Sequence, residues 1–348
     1  SGDATAGSIT LNGAESVSIT GVSQNNIPFV SVVSTDTTIG STGAGADLNI
    51  DTRYLLVAGG AQVNSAVFGS GEGGTLNVKA ERVELISGSP VAGASGLFAP
   101  IVPGATGDGG DINVEADSLL VAGGAQGFTL SVSSSKAGDF NINAQEIELS
   151  GTSPNGTPSG LFTNTFVDGD GGNLTIDTDS LLVTDGADIG SNVGGVGTAG
   201  NITIRANTIE LNSSSSSIED SSSISVQVEP EATGISGNIS IETSSLKLSD
   251  GTQINASVFG SGEGGDIDIT AKEIALTGFS SVEGIPTGIF ASVFLNATGN
   301  NGNVTVTTDN LNNSEGAQIA FSTGGAGAAG NLTVIATESI ELTGNAIE

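Results

Sequence analysis

Apolar and polar residues alternate along this chain in short runs that return many times. In Gly110-Asp111-Ile112-Asn113-Val114-Glu115-Ala116, Ile112 and Val114 face one way and Asn113 and Glu115 the other. That is the period-2 pattern of a strand with one buried face. After a corner at Ala116 comes a second run, Leu119-Leu120-Val121. A third run follows a Gly-Ala-Gln phrase, as in Gln62-Val63-Asn64 and Gln318-Ile319-Ala320. Gly, Asn, Ser and Pro punctuate the runs, and no 3.6-residue periodicity accompanies them. Each unit predicts three short strands and no helix.

The units keep a strict rhythm. Anchored on the first apolar residue of the phrase, they begin at Ile9, Leu48, Leu76, Ile112, Phe140, Leu174, Ile202, Ile239, Ile267, Val304 and Leu332. The spacings are 39, 28, 36, 28, 34, 28, 37, 28, 37 and 28, so long and short units alternate. Long units replace the Gly-Ala-Gln phrase with Gly-Leu-Phe at 96–98 and 160–162, and with Gly-Ile-Phe at 288–290. Identical residue types at fixed positions predict an all-β fold: a right-handed parallel β-helix of about eleven coils, alternately short and long, with like stacked on like. The right hand follows from the preference of parallel crossovers. Residues 1–348 read as one continuous solenoid, a segment of a longer repeat protein.

This arrangement predicts columns. One begins Leu48, Leu76, Ile112, Phe140, Leu174, Ile202; the next begins Ile50, Val78, Val114, Ile142. A small-residue corner column runs Thr52, Ala80, Ala116, Ala144, Thr178, Ala206, and the second run adds Leu55, Val83, Leu119, Ile147, Leu181. Asn313 breaks the following column of Leu and Val. One coil offers about five inward aliphatics at roughly 1.5–3 kcal/mol each. Ordering its residues costs of order 1–2 kcal/mol apiece, so a coil folds only when stacked on neighbours. Phe98, Phe162 and Phe290 are read as interior fillers of the wider coils.

Polar columns follow too. Carboxylates alternate with leucines in Leu56, Glu84, Leu120, Glu148, Leu182, Glu210. In Asp51, Lys79, Glu115, Asn143, Asp177, Arg205, Glu242, each cation lies between two carboxylates. Both orders keep like charges off adjacent coils. Asn or Asp precedes the first strand in nine of eleven units, from Asp47 to Asn331. Stacked amides could bond along the axis, but these residues also suit turns, and the turn reading is preferred. The Asn-x-Ser/Thr matches at Asn173, Asn201 and Asn331 belong to the same repeat.

Composition narrows the chemistry. Lys+Arg total 7 against 38 Asp+Glu, a net charge of -31. Nothing is present to neutralise a phosphate backbone or an anionic bilayer, so neither nucleic acid nor an anionic membrane is a partner. Without Cys or His there is no disulfide, zinc-finger-type site, haem ligand, thiol nucleophile or Ser-His-Asp triad. The Gly-rich stretches 194–200 and 324–330 lack the Lys and helix of a phosphate loop.

Gly-Gly-Asp-Ile-Asn-Val-Glu-Ala (109–116), Gly-Ala-Gln-Ile (316–319), Ser-Gly-Leu-Phe-Ala (95–99) and Ser-Val-Phe-Gly-Ser-Gly-Glu-Gly-Gly (257–265, with Ala66 replacing Ser in 66–74) resemble one family. They are similar to the repeat region of filamentous-haemagglutinin-like exoproteins, above all the long cyanobacterial ones. The resemblance covers essentially the whole chain. It implies two-partner secretion through an outer-membrane transporter, an extracellular, cell-surface location and a role in adhesion. A chain without Cys is compatible with such export.

The function expected is that of an extracellular structural or adhesive rod, forming or decorating cell-surface fibres. It is not an enzyme. Its partners are cell-surface glycans and other copies of itself, end to end or side by side, since terminal coils expose strand edges. A solvated spacer is the plainer version of the same rod. Two alternatives remain: a polysaccharide-active β-helix enzyme, and a calcium-binding surface-layer component. No cofactor is required, but calcium could be held by Asp108, Asp111, Asp168 and Asp170 in acidic Gly-rich turns.

Overall fold

A computed structural model describes residues 6–21, 29–87, 93–213, 221–281 and 284–344. Two parallel sheets run its length, one of eleven strands and one of ten, and consecutive strands of each sheet come from successive coils. The protein is a parallel β-helix. Among the described residues there is no helix.

The predicted columns are the observed register. Leu76 pairs with Ile112 and Ile112 with Phe140, and Ala116 pairs with Ala144. The carboxylate–leucine column is in register as well, with Glu84 opposite Leu120 and Leu120 opposite Glu148. At about 4.8 Å per coil, eleven coils make a rod on the order of 50 Å long.

One detail differs from the sequence reading. The first two runs of each coil are a single strand of eleven or twelve residues, such as Leu48–Ala58 or Ile112–Ala122, rather than two strands. The ladder skips one residue at the corner: Ala116 pairs with Ala144, then Ser118 with Glu146. Inward residues are therefore Leu48, Ile50, Thr52 and then Leu55 and Val57, and two consecutive side chains, Arg53 and Tyr54, face outward. The strand and its ladder resume on the far side of this phase change.

The short–long alternation arises at the end of that strand. In a short coil, Ala58 to Gln62 is closed by Gly59 and Gly60, both at positive φ (66° and 88°), the backbone of a tight primed turn. Asp185 and Gly186 occupy the same place two coil pairs on, with φ of 54° and 85°. In a long coil the same corner carries a loop, from Ile86 to Gly96 or from Ser150 to Gly160. A buried hydroxyl ties the two forms together. Ser159 Oγ donates to Ser150 O (2.8 Å) and accepts from the Gly124 N–H of the short coil before it (2.8 Å). Ser95 does the same between Ile86 O and Gly60 N–H.

Gly-Leu-Phe is also explained by close approach. A Cβ on Gly96 would lie 1.7 Å from Gln126 O, and one on Gly288 1.9 Å from Gln318 O. The Gly-rich corner is a stack rather than a linker, since a Cβ on Gly200 would meet Gly172 O at 1.7 Å.

Among the described residues the main core is an aliphatic cluster from Ile19 to Leu311, with two smaller buried clusters, one around Val193, Val228 and Val258 and one around Val67 and Ile101. Among the described residues Phe140 is the one aromatic fully buried in the main cluster. Ile224 and Val226 of the serine-rich coil are buried in it, whereas most of the serine run 213–217 lies outside the described residues.

Candidate functional site

Among the described residues no three acidic side chains gather in one place, and the charged side chains run in columns from coil to coil. The outward face at the strand bend forms a shallow trough in three connected stretches of about 750, 540 and 530 Å³. They share Asn143, and between them reach from Asn12 to Thr337. Small corner residues such as Ala80, Ala116, Ala144 and Ala206 line it. One flank carries Asp51, Lys79, Glu115, Asp177, Arg205 and Glu242, and the other Arg53, Glu81, Asp117, Asp179, Lys272 and Asp309.

These charges are partly paired between coils. Lys79 Nζ meets Glu115 at 2.8 Å, Arg205 meets Asp177 at 3.4 Å, and Arg53 bridges Glu15 (3.2 Å) and Glu81 (3.1 Å). The Glu115 carboxylate, bonded to Lys79, raises its pKa, and Glu81 does so for Arg53. All are well exposed, so solvent screens each pair and it adds little to stability. At the trough's end, Arg82 and the Tyr54 hydroxyl both bond Glu84, a buried carboxylate. Burial first, then the Glu84 bond, pushes the Tyr54 phenol above its ordinary pKa.

Amide ladders run beside the charges. Asn77 Nδ2 donates to Asn49 Oδ1, Asn113 to Asn77 and Asn141 to Asn113, each at 3.0 Å. The column that precedes the first strand makes a longer ladder, from side chain to backbone. Asp111 Oδ1 accepts the N–H of Asp139 (2.8 Å), Asp139 Oδ1 that of Asn173 (2.8 Å), and Asn173 Oδ1 that of Asn201 (3.0 Å). It continues from Asn201 to Asn238, Asp266, Asn303 and Asn331. These residues are axial acceptors. The turn reading fails because each side-chain oxygen reaches the next coil's N–H rather than its own turn.

The calcium candidates lie in the same region. Asp111 is a ladder residue. Asp108 Oδ1 accepts from Lys136 N–H (3.0 Å) and Asp170 Oδ1 from Thr198 N–H (3.1 Å). Asp168 is exposed in its turn. Three of the four thus already bond backbone, and among the described residues no three acidic side chains converge as a metal site.

The Gly-Leu-Phe phenylalanines lie outside the aliphatic cluster, although Phe98 is itself buried. Leu97 and Ala99 point inward, into the core cluster, and Phe98 between them faces out on the second sheet, as Phe162 and Phe290 do in theirs. Period 2 requires it: the inward places belong to Leu97, Leu161 and Ile289. Phe98 packs against Phe128 with centroids 4.4 Å apart and the rings tilted by 30°. The sequence cue was the Gly two residues earlier, on the same face, whose missing side chain leaves room for the ring.

No protein-family model, curated protein or solved structure matches the chain.

Proposed function

We propose that this protein is an extracellular structural and adhesive rod of the filamentous-haemagglutinin-like kind, forming or decorating fibres at the cell surface. One observation supports this above others: its polar groups are distributed along the axis, with the ladder from Asp111 to Asn331 passing through successive coils. Such a surface makes many weak, equivalent contacts along its length. Glycans and further copies of the rod are its natural partners, and an outer-membrane transporter its export route. The acidic side chains follow the repeat, which favours a rod over a polysaccharide-cleaving enzyme.

The test is imaging with antibody raised against residues 29–344. Gold label on fibres outside the native cell, and reduced surface attachment when the gene is deleted, are the expected results. Label confined to the cell interior would overturn the proposal.

A further inference from the structure

The second sheet carries an aromatic cleft on its outer face. It lies between the coil containing Phe128 and Leu130 and the next, containing Phe162 and Phe166, and its volume is about 220 Å³. Phe166 is 44% exposed.

The rings are seated. A Cβ on Gly160 would lie 2.6 Å from Phe162 Cζ, and one on Gly190 3.1 Å from Phe162 Cδ1. A Cβ on Gly194 would lie 2.6 Å from Phe166 Cδ1. Both rings therefore rest on glycine backbone, Phe162 over its own coil and the next and Phe166 over the next. Phe128, the ladder partner of Phe162 on the adjacent strand, lines the cleft beside them. Rings fixed in this way lose little freedom when a ligand arrives.

Two amides border the cleft, each with one group committed. Gln126 Nε2 donates to Pro158 O (3.2 Å), and Asn164 Oδ1 accepts from Asn192 N–H (2.8 Å). Gln126 Oε1 and Asn164 Nδ2, one acceptor and one donor, have no protein partner among the described residues. No charged side chain lines the cleft, although the chain has 38 carboxylates.

We infer that this cleft binds a neutral saccharide, one sugar ring seated over Phe128 and Phe162 and flanked by Phe166. Aromatic faces accept the C–H face of a sugar, and a paired donor and acceptor match hydroxyls that serve as both. A small apolar cleft with a few placed polar groups suits one ring rather than a larger ligand. A net charge of -31 disfavours uronate or sulfate sugars. The inference rests on the adhesive reading of the rod and deepens it by naming the ligand class and the two coils that hold it.

The test is titration calorimetry and saturation-transfer NMR on the full chain with cellotetraose, chitotetraose and mannotetraose, and with tetragalacturonate as the anionic control. Weak, saturable binding of at least one neutral tetramer is expected, with none for the control. Phe166→Ala, at an exposed position, should weaken binding by about tenfold with an unchanged far-ultraviolet spectrum, which corresponds to about 1.4 kcal/mol. Phe162→Ala should do the same, and Phe294→Ala, at the separate Phe259–Phe294 stack, should change nothing. No saturable binding of any neutral tetramer, binding indifferent to Phe166→Ala, or preference for the anionic control would overturn the inference. Self-association abolished by Phe166→Ala, without sugar binding, would reassign the cleft to a second copy. None of these outcomes touches the fibre proposal, which imaging decides.

Discussion

Phe140 and Gly127 complement each other across the core. Phe140 fills a place held by Leu, Ile or Val in the other described coils, and Gly127 stands where the second sheet otherwise has Val63, Leu97, Leu161 or Ile189. A Cβ on Gly127 would lie 2.7 Å from Phe140 Cε1 and Cζ. The two are 13 positions apart, on different sheets and different coils.

The pair predicts its own thermodynamic coupling. Phe140→Ala should cost about 3–5 kcal/mol through the cavity it leaves. Gly127→Val should cost about 1–3 kcal/mol by overpacking against the ring. Phe140→Ala combined with Gly127→Val should cost less than the two losses together, with a coupling energy of about 0.5–3 kcal/mol in urea denaturation. Strict additivity would show that the two residues do not share space.

The axial ladder predicts a chemical distinction at Asp139, which accepts both the N–H (2.8 Å) and the side-chain amide (3.3 Å) of Asn173. Asp139→Ala should destabilise by about 1–3 kcal/mol, the range for a charge-assisted bond or an orphaned donor. Asp139→Asn should stay close to wild type, because Asn occupies the same place in other coils and keeps the acceptor. Equal losses for both variants would mean that the acceptor is not what matters.

Ser159 is the hinge between a long-coil loop and a short-coil turn. Its hydroxyl is fully buried and has one partner on each side. Ser159→Ala should cost about 1–3 kcal/mol, since the Gly124 N–H and the Ser150 carbonyl both lose a partner away from water. Hydrogen exchange should report it first as faster exchange at Gly124.

Asp188 predicts a pH dependence. It stands in a column whose other short-coil members are Gln62, Gln126, Gln253 and Gln318, and it accepts a bond from Ser223 Oγ (2.8 Å). Burial pushes its pKa up from 3.8 to about 6, against the opposing effect of Ser223. Between those values the folded state keeps a proton that the unfolded chain has lost. Stability from this group is therefore present below the lower value and falls as pH rises through the upper one. The loss by pH 7 is of order 1–3 kcal/mol. Asp188→Asn should raise the melting temperature at pH 7 and flatten the pH 4–6 slope. A slope unchanged by the substitution would place the titration elsewhere.

Much of this was legible in the sequence, and for a physical reason. In a solenoid each residue's neighbours are its own counterparts in adjacent coils, so a column written from the sequence is already a list of contacts. The pairing of Ile112 with Phe140, the spacing of Glu84 from Glu148 and the alternation of coil lengths all follow from that stacking. The ion pairs Lys79–Glu115 and Arg205–Asp177 were legible in the same way.

What the repeat could not reveal lies off the columns, or depends on where a side chain points. Whether Asp111 and Asn173 serve their own turn or the next coil depends on a few ångströms of side-chain reach, identical in composition for both outcomes. Phe98 and Phe162 look like core residues by type, and only the alternation of the folded strand turns them outward. Phe140 and Gly127 meet because two sheets face each other across one interior. Sequence alone determined the winding and its register, because those repeat from coil to coil. Tertiary structure decided the amide ladder, the outward aromatics and the cleft, because each depends on side-chain direction or on distance across the coil.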